Sequence, residues 1–428
     1  MKFYSTNKKV APLSFKEAVI HSLPSDRGLY FPEKIPTLES DFFKELNSYT
    51  LSEIGYKILT PFTHEDIPKA KLKNITEEAF NFDVPLKKIE TGIYSLELFH
   101  GPTYAFKDIG ARFLARCLAY FNESHNQEVT ILVATSGDTG GAVASGFYDV
   151  DGVNVVILYP SGKVSELQEK QLTTLGKNIT AVEIDGTFDD CQNMVKQAFL
   201  DKELNETLNL SSANSINIAR WLPQSIYYFE AFKQLQNRDN LVFSVPSGNY
   251  GNLSAGLLAH RMGLPVKHFI AASNQNDVIP RFLTTEQYEP LKTIPTLSNA
   301  MDVSDPSNYP RLMELVNGNH AELQSVVKGF SMDDAQTLET IKSCFDQNSY
   351  ITDPHGAIGY QALKDIMTAD ENGIFLETAH YCKFVSTVEK ALEKTLSQPD
   401  FVSNLMSKPK KSITMSSSFK EFKSFLFG

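Results

Sequence analysis

Only four cysteines occur in the 428 residues, Cys117, Cys191, Cys344 and Cys382, and they stand far apart. No two form a CxxC pair and none has zinc-site spacing, so a disulfide framework and a structural zinc site are excluded as organising features. They read as reduced, mostly buried thiols. Long apolar runs are also missing, none approaching the roughly 20 residues that span a bilayer. There is no long basic run, and the formal net charge is −11. Nucleic acid and anionic membranes are therefore poor general partners. An anionic small substrate stays open, because local cations decide that. The opening "MKFYSTNKKVAPLSF" has no apolar signal core and no small-residue cleavage site, so a cytoplasmic location is expected. What remains is 42% hydrophobic and 21% charged, the composition of a soluble globular chain with room for two or three domains.

The first 90 or so residues are mixed. "DRGLYFPEKIP" is punctuated by Gly and Pro, and "SEIGYKILTPF" reads as a helix that ends at Pro61. From residue 93 the pattern becomes regular. Strands are expected at 129–135, 154–160, 179–186, 241–247, 266–273 and 373–380, most of them followed by a helical pattern. Such alternation implies βαβ units and doubly wound, mainly parallel sheets. We divide the chain into an N-terminal segment (1–92) and two α/β domains (93–240 and 241–428). Residues 283–350 are less regular. The stretch "SKPKKSITMSSSFK" reads as a mobile surface segment or as the lead-in to a closing helix.

Four features at expected strand-to-helix junctions carry chemistry, and ligands bind at such strand ends. Pro246-Ser247-Gly248-Asn249-Tyr250-Gly251-Asn252 has two glycines before a helix, a cradle type suited to phosphate. It is neither a P-loop nor a GxGxxG turn, which weakens a nucleotide reading. Thr135-Ser136-Gly137-Asp138-Thr139 offers hydroxyls and N–H groups, a nest suited to a carboxylate or simply a capped helix. Ser212 to Arg220 places small polar residues before an arginine, a natural partner of phosphate or carboxylate, though also a common solvated side chain. Lys107, in "HGPTYAFKDIGARFLARCLAYF", lies between an apolar stretch and the helical spacing of Ile109, Phe113, Leu114, Cys117, Leu118 and Phe121. Together, a phosphate cradle, a carboxylate nest and a lysine describe a site for pyridoxal phosphate with an amino-acid substrate.

"HGPTYAFKD", "ATSGDTG", "SANSINIAR", "VPSGNYGN", "TLSNAMDVSDPSN" and "TAHYCKF" occur in the order found in the threonine synthases. "DRGLYFPEKIP" resembles the N-terminal segment of their longer, microbial and fungal type. The chain thus resembles that family over nearly its whole length, within the tryptophan-synthase-β-like group of pyridoxal phosphate enzymes (fold type II). The resemblance implies conversion of O-phospho-L-homoserine and water to L-threonine and phosphate, by γ-elimination and addition of water at Cβ. It implies a Schiff base on Lys107, whose freed amine then takes the Cα proton. Gly248, Asn249, Tyr250, Gly251 and Asn252 are implied to bind the cofactor phosphate, and Thr378 the pyridine nitrogen. Ser136, Gly137, Asp138 and Thr139 are implied to meet the substrate carboxylate. Ser215 and Arg220 would meet its phosphate, with Asn249 helping and Lys163 a further candidate. A monomer or homodimer is expected.

Two departures stand out. Position 138 is Asp where many relatives outside this branch have Asn, and Tyr381-Cys382 replaces the usual Pro-Ala. A threonine-synthase-like phospho-lyase or a serine/threonine dehydratase on the same scaffold remain alternatives. "SANSINIAR" and "AMDVSDPSN" argue against the dehydratase. A small-molecule kinase or nucleotide-binding module would explain the glycine loops but not Lys107.

Overall fold

A computed structural model describes residues 1–123 and 128–428. Thirteen strands are found among them. β1 (Phe3–Ser5) and β2 (Tyr30–Pro32) pair antiparallel as a small ladder. β3 (Leu86–Glu90) and β4 (Ile93–Glu97) form a hairpin. β5 (Val129–Ala134), β6 (Val153–Pro160), β7 (Ile179–Asp185) and β8 (Leu210–Ser212) follow. Then come β9 (Leu241–Pro246), β10 (His268–Ser273), β11 (Val327–Ser331), β12 (Asn372–Glu377) and β13 (Ile413–Ser416).

The strands build two larger sheets, ordered β11-β10-β9-β12-β4-β3 and β13-β7-β6-β5-β8. Every pairing in them is parallel except β3 with β4. The mainly parallel, doubly wound class is therefore present. The sheets cut across the boundaries at 92/93 and 240/241, however. β4 lies beside β12 in the larger sheet, and β13 joins the smaller one from the far end of the chain. The chain passes from the larger sheet to the smaller between β4 and β5, returns through the helices between β8 and β9, and crosses again between β12 and β13.

Central strands are apolar on both faces, as strands covered by helices on both sides must be. In β5, Ile131 and Val133 belong to the main core, while Leu132 and Ala134 belong to a second cluster on the other face. The helix Asp108–Asn122 buries every apolar position expected from its spacing. The helix Leu51–Thr63 runs through Pro61, because a proline in the last turn removes one hydrogen bond without ending the helix. All four cysteines are buried free thiols. The C-terminal Ser/Lys-rich stretch is an ordered edge strand, β13, leading into the helix Phe419–Phe427. Among the described residues no helix is long and apolar enough to cross a membrane.

Candidate active site

Lys107 is the N-cap of the helix Asp108–Asn122. The turn before it folds around Asp108, whose carboxylate accepts from Thr103 N at 2.9 Å and Thr103 Oγ1 at 2.6 Å. Gly101 is required here, since a Cβ would come within 2.4 Å of Asp108 Oδ2. The loop is then stitched to the chain just beyond β12. Phe106 N donates to Thr378 O at 2.8 Å, and His380 N donates to Tyr104 O at 3.1 Å. Lys107 is thus fixed one residue from a direct bond to Thr378, 271 positions away in sequence.

Lys107 Nζ is 3.9 Å from Asp138 Oδ2, close enough to feel the charge and too far for a hydrogen bond. Burial, opposed by Asp138 and assisted by Lys383 and Arg220, pushes the amine below its usual range. Burial alone would raise Asp138, but Lys383 and Lys107 hold it well below the ordinary carboxylate range. Asp138 Oδ1 accepts from Lys383 Nζ at 2.7 Å and Gln168 Nε2 at 2.9 Å. An ionised Asp138 side chain repels a carboxylate ligand, so its expected contact with the substrate carboxylate falls to its backbone N–H.

The N–H groups of Ser136, Asp138 and Thr139 donate to no protein acceptor among the described residues, and neither do the hydroxyls of Ser136 and Thr139. Gly137 differs: its N–H bonds Thr135 Oγ1 at 3.0 Å. Its part is conformational, at φ 143°, where a Cβ would meet Gln168 at 2.4 Å. Ser136 and Thr139 flank this turn half-buried, a concave set of donors suited to a carboxylate.

The glycine cradle follows β9. Tyr250 sits in the left-handed region at φ 56°, immediately before the helix Gly251–Arg261. The N–H groups of Gly248, Asn249 and Tyr250 have no protein acceptor among the described residues. Unpaired donors in a buried turn at a helix start suit an anion, and a phosphate fits them. Gly248 admits no side chain, as a Cβ would lie 2.5 Å from Met301 Cα. The Asn252 side chain is spent inside the loop, bonding Ser247 Oγ and Pro246 O, so only its backbone is available to a phosphate. The Asn249 side chain points elsewhere, donating to Ser215 Oγ at 2.6 Å and accepting from Ser307 N and Oγ, each at 2.7 Å. This ties the cradle to the 212–220 loop.

Arg220 is buried, 3% exposed, and forms no ion pair among the described residues. Nη1 donates to Ala213 O, and Nε has no partner. Burial lowers it to about 10, with Asp108 opposing. A second buried arginine, Arg311, went unread in the sequence. It donates to the carbonyls of Ser215, Ile216 and Tyr30 and to Asn308 Oδ1, and lies 4.6 Å from the Trp221 ring. Arg311 spends both terminal nitrogens on the turn at Ser215 and its surroundings, leaving only Nε without a partner, whereas Arg220 makes a single bond through Nη1. Lys163 is exposed in the turn after β6 and makes no side-chain contact with these groups.

Lys383, Asn308 and Arg311 are the side chains that sequence reasoning missed. Asn308 and Lys383 stand inside quoted motifs, "SDPSN" and "TAHYCKF", yet nothing local marks a lysine as buried. Thr378 is buried just past the end of β12, and its hydroxyl has no protein partner among the described residues. A half-buried lysine of lowered basicity, a turn of unpaired N–H donors and a buried hydroxyl are the kinds of group that fit pyridoxal phosphate.

Comparison with known proteins shows the family. Residues 81–374 match the pyridoxal-phosphate dependent enzyme family, residues 2–80 the threonine synthase N terminus and residues 356–426 the threonine synthase C-terminal family. The chain is 47% identical to a threonine synthase of Haemophilus influenzae, covering 100% of this chain and 99% of that one. It is 36% identical to that of Saccharomyces cerevisiae, with 91% and 89% covered. The crystal structure of threonine synthase from Escherichia coli superposes with a TM-score of 0.94 at 45% identity, covering 100% and 99%. The pyridoxal-phosphate-bound threonine synthase from Brucella melitensis gives 0.94 at 34%, covering 100% and 98%. With the family models tiling it from residue 2 to residue 426 and relatives of this identity over its full length, the chain belongs to the threonine synthase family of pyridoxal-phosphate dependent enzymes.

Proposed function

We infer that this chain carries out the reaction of its family, turning O-phospho-L-homoserine and water into L-threonine and phosphate. The observation that carries the residue assignment is the convergence of a half-buried lysine of lowered basicity with two separate sets of unpaired anion donors. When bound, pyridoxal phosphate would supply an electron sink for the negative charge developed at Cα. The rest falls to the protein. Lys107 would hold the cofactor through Nζ and, once released, take and return protons at the substrate carbons. Its depressed basicity, caused by burial, favours the neutral amine that such proton transfer needs. The backbone of Gly248, Asn249, Tyr250, Gly251 and Asn252 would hold the cofactor phosphate, and the Thr378 hydroxyl would meet the ring nitrogen.

Ser136, Thr139 and the Asp138 N–H would orient the substrate carboxylate. Arg220 and Ser215, with Asn249, would hold its phosphate before and after the C–O bond breaks. Lys163 remains a candidate only for attracting that phosphate from outside, given its exposure. The substrate is a small molecule, acted on by a monomer or homodimer, and four unpaired buried thiols suit a reducing cytoplasm. Lys107→Ala tests the reading. The variant should fold, lack the visible absorption of a lysine-bound cofactor and form no threonine. A borohydride-reducible adduct together with threonine formation in that variant would overturn the assignment. Formation of 2-oxobutyrate in place of threonine by the parent would favour a dehydratase or phospho-lyase.

A further inference from the structure

One acid stands between two lysines in this site. Asp138 Oδ2 faces Lys107 Nζ at 3.9 Å, while Oδ1 is taken by Lys383 Nζ at 2.7 Å and by Gln168 at 2.9 Å. The Lys383 side chain is wholly buried, in the turn Tyr381–Phe384, and also donates to Thr103 O at 2.9 Å. Burying a second ammonium is costly, and Asp138 would already have a partner in Lys107. If Asp138 closed on Lys107, however, it would stabilise the ammonium form, which cannot attack a carbonyl. We propose that Lys383 is a positioning residue that holds the Asp138 carboxylate on its own side, so that the acid stands beside Lys107 without pairing tightly with it. This rests on Lys107 being the cofactor lysine.

The charged and titratable groups facing Lys107 come from every neighbouring element. They are Asp138 and Lys383, Arg220 of the helix Ile218–Trp221 and Asp353 before the helix Pro354–Ile366; of the titratable groups nearby, Asp108 is turned to Thr103 and the Tyr227 hydroxyl to Phe106 O. Only Asp138 is held by a second lysine.

The test follows the amine directly. Pyridoxal phosphate is added to full-length, cofactor-stripped protein across a pH series, and the rate at which visible absorbance appears is recorded. The rate should rise with pH as Lys107 loses its proton. In Lys383→Met the midpoint should move up by roughly one unit or more, as the freed acid pairs with Lys107. In Asp138→Asn it should move down, because Lys383 then acts on Lys107 unopposed. The double variant Asp138→Asn/Lys383→Met should lose the upward shift. A structural role through Thr103 O would instead leave the double variant as impaired as Lys383→Met. The proposal is overturned if Lys383→Met keeps the parent midpoint, or if the double variant keeps the upward shift. Should Lys383→Met fail to fold, Lys383→Gln takes its place with the carboxylate of Asp138 kept: a raised midpoint that Asp138→Asn/Lys383→Gln loses supports the proposal, and the parent midpoint overturns it. A parent protein that gains no lysine-bound absorbance would instead overturn the cofactor reading itself.

Discussion

A buried arginine without an acid is stable only if something answers its charge. Arg220 has a single carbonyl acceptor, an unpartnered Nε and a basicity lowered by burial. A substrate phosphate is the partner that would answer it. Arg220→Ala should raise KM for O-phosphohomoserine about ten- to a hundredfold, the effect of losing a charge-assisted contact worth about 1.5–3 kcal/mol. The cofactor should stay bound, because the turn proposed to hold its phosphate belongs to another loop. Equilibrium cofactor binding and steady-state kinetics on one preparation check both halves. A fall in cofactor affinity with KM unchanged would mean that the two phosphate roles are exchanged. Thr378 gives a second residue-level prediction. A hydroxyl donates a hydrogen bond to a ring nitrogen without placing a charge there. Thr378→Ser should therefore keep most threonine formation, and the isosteric Thr378→Val should lose much of kcat while still binding cofactor. Equal behaviour of the two variants would make Thr378 a packing residue.

At the scale of elements, the loops depend on close approaches between segments distant in sequence. Gly248 meets the backbone of Met301, with Cα 2.5 Å and the carbonyl carbon 2.9 Å from where a Cβ would stand. Backbone cannot step aside as a flexible side chain does. Gly248→Ala should cost about 1–3 kcal/mol of stability and weaken cofactor binding more than it changes the Lys107 absorption maximum. Thermal unfolding and cofactor titration measure the two effects. Such approaches also mark the limit of what the chain discloses by itself. The central strands, the helix after Lys107 and the two glycine turns were legible, because apolar periodicity and turn residues are local signals. β11, with Lys328 and Gly329 at a sheet edge, and the three-residue β8 lack that periodicity. β4 was legible as apolar, but its place beside β12 depends on pairing across most of the chain. The place of Lys107 at the start of a helix was legible from its junction, whereas the burial of Lys383 was not, since it is set by Asp138 and Thr103. Gly137 and Asn252 sit within the right loops, yet the bonds that occupy the Gly137 N–H and the Asn252 side chain appear only in three dimensions.

For the whole molecule, the end of the chain completes a domain that begins more than 250 residues earlier. β13 pairs parallel with β7, from Ile413 opposite Val182 to Ser416 opposite Asp185. Met415 and Phe422 enter the cluster formed by Leu132, Ala134, Val156, Leu158, Val182 and Ile184, the face of the smaller sheet turned away from the main core. Without residues 413–428, that face loses part of its cover and β7 becomes an open edge. Burial of Met415 and Phe422 alone is worth roughly 3–6 kcal/mol, comparable to the net stability of many domains. The exposed β7 edge also invites strand pairing between copies. The consequence reaches the site, because the Ser136–Thr139 turn leaves β5, which β6 joins to β7. Deleting residues 413–428 should therefore lower the urea midpoint, raise self-association in gel filtration, and raise KM for O-phosphohomoserine. The Gly248–Asn252 cradle, standing on the larger sheet, should keep its affinity for cofactor phosphate at low urea. A truncated chain with the parent midpoint and the parent KM would show that this C-terminal strand and helix are surface additions and that the smaller sheet is stable without them.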